Sequence, residues 1–123
     1  MGFPQTATAA YGALEPALVD PSRAEALVFA RVTRALEAAF ATADASAADR
    51  ARALHDNRRL WLAAAAACAD DANALAPDLR AALISLAGFV ERHSSTVLRG
   101  QAGPEPLIEI NRRVAGGLTR GAS

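Results

Sequence analysis

The chain contains no lysine, so its 13 permanently cationic side chains are all arginines, and 13 Asp and Glu residues balance them. A net charge of zero argues against a general nucleic-acid binder, which carries a basic excess. A single cysteine excludes an intramolecular disulfide and a cysteine-rich zinc site. Aromatic residues make up only 5% of the chain, and Val and Ile are too few and too irregularly placed to alternate as strands do. Long hydrophobic runs are missing as well. The longest, Leu60 to Ala69, is mostly alanine and falls well short of the ~30 Å needed to cross a bilayer core at about 1.5 Å per residue. No membrane insertion is expected. The opening residues, Met1 to Thr6, have no basic n-region and no apolar core, so they do not read as a secretory signal. Gly2 and Thr6 match the spacing of a myristoylation signal, which Pro4 fits poorly. The expected location is the cytoplasm.

Alanine is what the chain has in excess, at 33 of its 123 residues. The larger apolar side chains, led by 14 Leu, suffice for one modest core of helices packed closely through alanine. Alanine and arginine both favour helix. The sequence therefore predicts an all-α fold. Residues 1–123 form one small bundle of four main helices plus a weaker N-terminal one, with 1–19 as an arm or short helix and 119–123 as a frayed tail.

The weak first segment places Tyr11, Leu14 and Leu18 on one face, but Gly12 and Pro16 interrupt it. Asp20 then reads as an N-cap with Pro21 at the first helical position, and helix is predicted to about Ala43. Val28, Val32, Leu36 and Phe40 mark its apolar face, flanked by Leu27 and Phe29. Ser46 with Asp49 resembles a capping box for a helix from Ala47 to Ala69, whose face is Leu54, Trp61, Ala65 and Cys68. A helix from Pro77 to Gly100 follows, with Leu79, Leu83, Leu86, Val90, His93 and Val97 as a heptad-like seam. The last helix is predicted to start at Pro106, to carry Leu107, Ile110 and Val114, and to be limited by Gly116 and Gly117.

Reactive side chains do not assemble into a motif. There is no phosphate-binding glycine loop and no paired-histidine zinc motif. His93 and Ser94 are neighbours on a helix and point apart, so His93 is better read as a seam residue that hydrogen-bonds to another helix. Asp70 and Asp71 read as turn residues, and Cys68 as a buried structural thiol. The pairs Arg58-Arg59 and Arg112-Arg113 are either solvated faces or contacts to an acidic partner. Trp61 is expected in the core, and Asn57, one turn before it, must find partners, for instance at a helix end or loop. No catalytic residue, cofactor or metal is expected. The residues describe a helical module that acts by contact, not an enzyme.

Four segments carry a family resemblance. They are Ala10-Tyr11-Gly12 with Pro21, Arg23, Glu25, Phe29 and Val32 to Leu36; Asn57-Arg58-Arg59-Leu60-Trp61; Asn73-Ala74-Leu75-Ala76-Pro77 with Leu79-Arg80 and Ile84 to Leu86; and Glu105-Pro106-Leu107-Ile108-Glu109-Ile110-Asn111-Arg112, closing at Gly116-Gly117-Leu118. In this the chain resembles FlaF, a small flagellar biosynthesis protein of alphaproteobacteria. Two departures stand out: Pro16 within the first helix, and alanines in place of bulkier residues between Leu62 and Ala69.

The resemblance implies a role in flagellin supply, with flagellin as partner bound by a secretion chaperone, and FlbT, a regulator acting on flagellin mRNA, as a possible second partner. Asn57, Arg58, Trp61, Asn73, Leu75, Pro77, Pro106 and Asn111 are then family-motif residues with structural roles. Two apolar faces are candidates for holding an amphipathic flagellin helix: Tyr11, Leu14 and Leu18, and Leu107, Ile110 and Val114 with Arg112 and Arg113 at the rim. Core packing is the competing reading of the second face. Aspartate at Leu14, Leu18 or Ile110 is expected to weaken flagellin binding without loss of helix. The competing function is a regulator of flagellin translation that contacts RNA through Arg58, Arg59, Arg112 and Arg113, with binding that falls steeply with salt.

Overall fold

Helix α1, Pro21–Phe40, begins at the proline that the sequence marks as its first residue; the ring's fixed φ suits that position and its missing N–H has no intrahelical partner to lose. A computed structural model describes the backbone of residues 21–70 and 75–122, with side chains for 25–70 and 75–116. Three more helices follow: α2 at Ala47–Ala69, α3 at Pro77–Leu98 and α4 at Glu105–Ala122. Together they make an all-α bundle of four helices, with no strand among the described residues. The expected weak helix at 1–19 lies outside the described residues, and so does its N-cap Asp20.

Successive helices run antiparallel. Helix α1 packs on α4 and α2, and α2 packs on α3, whereas α3 and α4 barely touch and neither diagonal pair makes backbone contact. The bundle is thus closed on three sides and open on the fourth.

The buried face of α1 differs from the expected one. Ala26, Phe29, Thr33, Leu36 and Ala39 are buried, Val28, Val32 and Phe40 are half-buried, and Leu27 is exposed. A strict four-residue step drifts about 40° per turn in a helix of 3.6 residues, so the centred stripe alternates steps of three and four. Thr33 is tolerated inside because its Oγ1 donates to Phe29 O at 2.6 Å. In α2 the expected Leu54, Trp61 and Cys68 are buried and Ala65 is half-buried.

Two arginines tie helix ends together in the same way. Arg50, on the first turn of α2, donates from Nε to Ala39 O at 3.1 Å and from Nη2 to Thr42 O at 2.8 Å, and lies over the Phe40 ring. This clasp closes α1 at Phe40, three residues before the predicted end. Arg80, on the first turn of α3, donates to Cys68 O at 2.7 Å and Asp70 O at 3.0 Å. In both cases a guanidinium satisfies carbonyls left over at a helix C-terminus, where a cation is also favoured by the helix dipole. Asp70 itself caps α2 in extended backbone, which bears out its reading as a turn residue.

The remaining ends follow local chemistry. Ser46 Oγ accepts from Asp49 N at 3.0 Å, the N-cap half of the predicted box. Helix α3 ends in a left-handed Gly100 (φ 74°), with Gly100 N donating to Val97 O and Gln101 N to Thr96 O. That pair of bonds is a Schellman motif. Helix α4 starts at Glu105 and runs through Gly116 and Gly117 to Ala122, where the sequence predicts a limit and a frayed tail. Glycine costs a helix about 1 kcal/mol relative to alanine, and the long packing of α4 on α1 offsets this.

Candidate interaction surface

A buried polar chain occupies the centre of the bundle. Trp61 Nε1 donates to Asn111 Oδ1 at 2.8 Å, and Asn111 Nδ2 donates to Asn57 Oδ1 at 2.7 Å. The indole N–H can only donate, so it fixes which way the Asn111 amide points, and Asn111 in turn fixes Asn57. Both asparagines are completely buried, and Phe29 meets Trp61 edge to face at 5.5 Å. The bonds join α2 to α4 across a diagonal where the backbones do not meet. The sequence predicts a helix-end or loop partner for Asn57; its partner is instead a side chain in the body of α4. Asn57 and Asn111 share no sequence signal, since 54 positions separate them.

The arginine pairs are largely engaged within the chain. Arg58 grips Glu91 of α3 with two hydrogen bonds, one of 3.1 Å from Nε. That contact holds the Glu91 carboxyl below its ordinary range and raises the Arg58 guanidinium, in each case chiefly through the shared hydrogen bonds. Arg112 bridges to Glu37 of α1, and Arg113 pairs with Glu109 one turn back at 2.7 Å. Cys68 is buried as expected, and desolvation pushes its thiol up.

His93 bonds a loop and not another helix. Its Nε2 lies 2.9 Å from Gly103 O, which can only accept, so Nε2 carries the proton. The ring also stacks on Phe89 at 5.3 Å. Beside it, Ser95 and Thr96 donate to Glu91 O and Arg92 O of their own helix, and Ser94 is buried. No described helix is long and apolar enough to cross a membrane. No group of three or more His, Cys, Asp or Glu that could hold a metal occurs among the described residues.

The open side of the bundle is its most distinctive surface. The α3 seam is buried at Val90 and Val97, yet Leu83 and Leu86 are only half-buried and Leu79 is 46% exposed. Two facts account for this gradient. Helix α4 has no extended contact with α3, and the register set by Arg58–Glu91 and by Arg80 on Cys68 O places the alanines of 63–66 opposite Leu83 and Leu86. Helix α4 shows the matching trend: Leu107 is fully buried, while Ile110 and Val114 are half-buried. The face expected at Leu107, Ile110 and Val114 therefore divides. Leu107 belongs to the core and offers nothing to a partner, whereas Ile110 and Val114 pack against the core with part of their surface still accessible. Of the motif residues, Pro77 opens α3, Pro106 sits in the first turn of α4, and Leu75 is 36% exposed just before α3. Tyr11, Leu14, Leu18 and Asn73 lie outside the described residues.

These features define a small helical protein whose charged side chains largely tie its own helices together and whose exposed large apolar residues include Leu79 and Ile84 on the first half of α3. Residues 7–118 match the sequence profile described as flagellar protein FlaF, and the chain belongs to that family. No curated protein and no solved structure matches it.

Proposed function

We propose that this protein binds flagellin monomer in the cytoplasm as a secretion chaperone, and so supports flagellin export and filament assembly. Membership of a flagellar family supplies the setting. The observation that carries the reading is the incompletely covered apolar first half of α3, where Leu79 is exposed and Leu83 and Leu86 are half-buried and α4 makes little contact with the helix. An amphipathic helix laid along such a face buries its apolar stripe against it, the mode by which helices are read at spacings of three and four. A helix that orders only on binding gives up part of its interaction energy, which suits a cargo that must be released for export.

Calorimetric titration with flagellin monomer from the same organism, at two salt concentrations, tests this. Saturable binding near one to one with a negative heat-capacity change supports burial of an apolar helix. No heat at any of several temperatures, with flagellin shown to be intact, rejects it in favour of a regulator acting through RNA or FlbT. The engagement of Arg58, Arg112 and Arg113 by carboxylates of the same chain weighs against the RNA reading.

A further inference from the structure

We propose that the groove between the second half of α1 and the first half of α2 docks a basic amphipathic helix of a partner protein, one that presents two arginine or lysine side chains two turns apart. The groove is a trough of about 340 Å³, walled by Ala35 and Ala38 of α1 and Ala53 of α2, with Asp49, Arg52 and Asp56 along its α2 edge. It lies on the side of the bundle opposite the α3–α4 side, so the proposal does not depend on the flagellin reading.

The shape of the trough comes from alanine. Methyl groups on both helices leave a floor from which no long side chain projects. Such a floor suits the methylene stem of a cationic side chain whose charged head stays near water. The charges along the edge then select the occupant. Asp49 and Asp56 are seven positions apart, so they share one stripe of α2 and stand about 10 Å apart along its axis. Both are exposed, and among the described residues neither makes an ion pair. Nor does Arg52, although it stands three residues from one and four from the other, the spacing at which Glu109 and Arg113 do pair. The Asp49 carboxylate is not engaged in a capping box either, because Asp49 takes part only through its backbone N–H, which donates to Ser46 Oγ. Its neighbour Arg50 is turned to Ala39 O and Thr42 O and leaves it unneutralised. Asp44, beside the wall residue Ala45, adds a further negative charge. The edge thus runs negative, positive, negative with an acidic excess, and its complement is a helix with cations seven positions apart.

Alanine-methyl NMR spectra of the full-length protein provide the test, with a synthetic alanine-based helical peptide of about 15 residues as the probe. With two arginines seven positions apart, the peptide should shift Ala35, Ala38 and Ala53 saturably and leave Ala87 of α3 unmoved. The same peptide with glutamates should shift none of them. Asp49→Asn/Asp56→Asn should weaken binding about tenfold, and Asp56→Asn alone, away from the capped first turn, several-fold. Ala38→Leu, at an exposed position, should block binding by filling the trough with both carboxylates in place. Arg52→Gln should tighten binding several-fold, because it removes the opposing charge. Native far-UV circular dichroism of each variant separates lost binding from a lost fold. No saturable shift in the wild type overturns the proposal, as does an equal response to the glutamate peptide or unchanged affinity in the folded asparagine variants. Weaker binding by Arg52→Gln also overturns it, and so do the same shifts with magnesium chloride alone, which would mark a metal site instead.

Discussion

The two halves of α3 carry one heptad-like pattern and meet different fates. Its second half, with Val90, Ser94 and Val97, is buried against α2 and near the loop to α4, while the first, with Leu79, Leu83, Leu86 and the outward Ile84, remains half open. The apolar residues of the first half are the larger ones, so residue hydrophobicity does not explain the contrast. The difference lies in what stands opposite: a run of alanines on α2 and, on the remaining side, an α4 that makes little contact with α3. A seam is buried only as far as its neighbours reach, and an apolar stretch beyond that point becomes a surface available to something else.

The largest effect that would sharpen this contrast is at the closed side. Trp61→Ala should lower the stability to urea unfolding by about 3–5 kcal/mol, because it leaves a large cavity and strands the Asn111 acceptor. Asn111→Ala should lose about 2 kcal/mol in the same measurement, since it leaves both the indole N–H and Asn57 without their partner. Matched truncations on α3 test the contrast directly. Val90→Ala should lose about 2 kcal/mol and Leu79→Ala less than about 1, despite the greater number of atoms removed in the second. Equal losses would break the comparison.

The smallest effect is electrostatic. Glu91 is held below its ordinary value by Arg58, so it stabilises the fold above its unfolded pKa and this contribution disappears as pH falls through the depressed folded value. With both side chains partly in solvent the contribution should stay under about 1 kcal/mol. Wild type and Glu91→Gln should therefore differ in urea midpoint at pH 7 and converge in acid.

Much of this architecture is legible before any coordinates. Pro21, Ser46 and Pro77 each impose a local conformation that starts a helix, and Gly100 supplies the left-handed residue that stops α3. The ends read less well are those decided by contacts between helices. Phe40 is where α1 stops because Arg50, on another helix, takes its last carbonyls. Gly116 and Gly117 are carried through because α4 rests on α1. The candidate surface is legible only in part: Leu107, Ile110 and Val114 share a face in sequence, but only the packed structure separates the fully buried Leu107 from the half-buried other two.

The sequence by itself determined that the chain is helical, roughly where each helix begins, and that Trp61 and Cys68 lie inside, because these follow from backbone propensity, caps and apolar spacing within a few turns. Only the tertiary structure decided that Asn111 reaches Trp61 and Asn57, that three arginines are taken up by carboxylates of this same chain, and that one side of the bundle stays open. Each of these depends on which helices stand side by side, and a pattern repeating every three or four residues specifies a helix's apolar face without specifying what will face it.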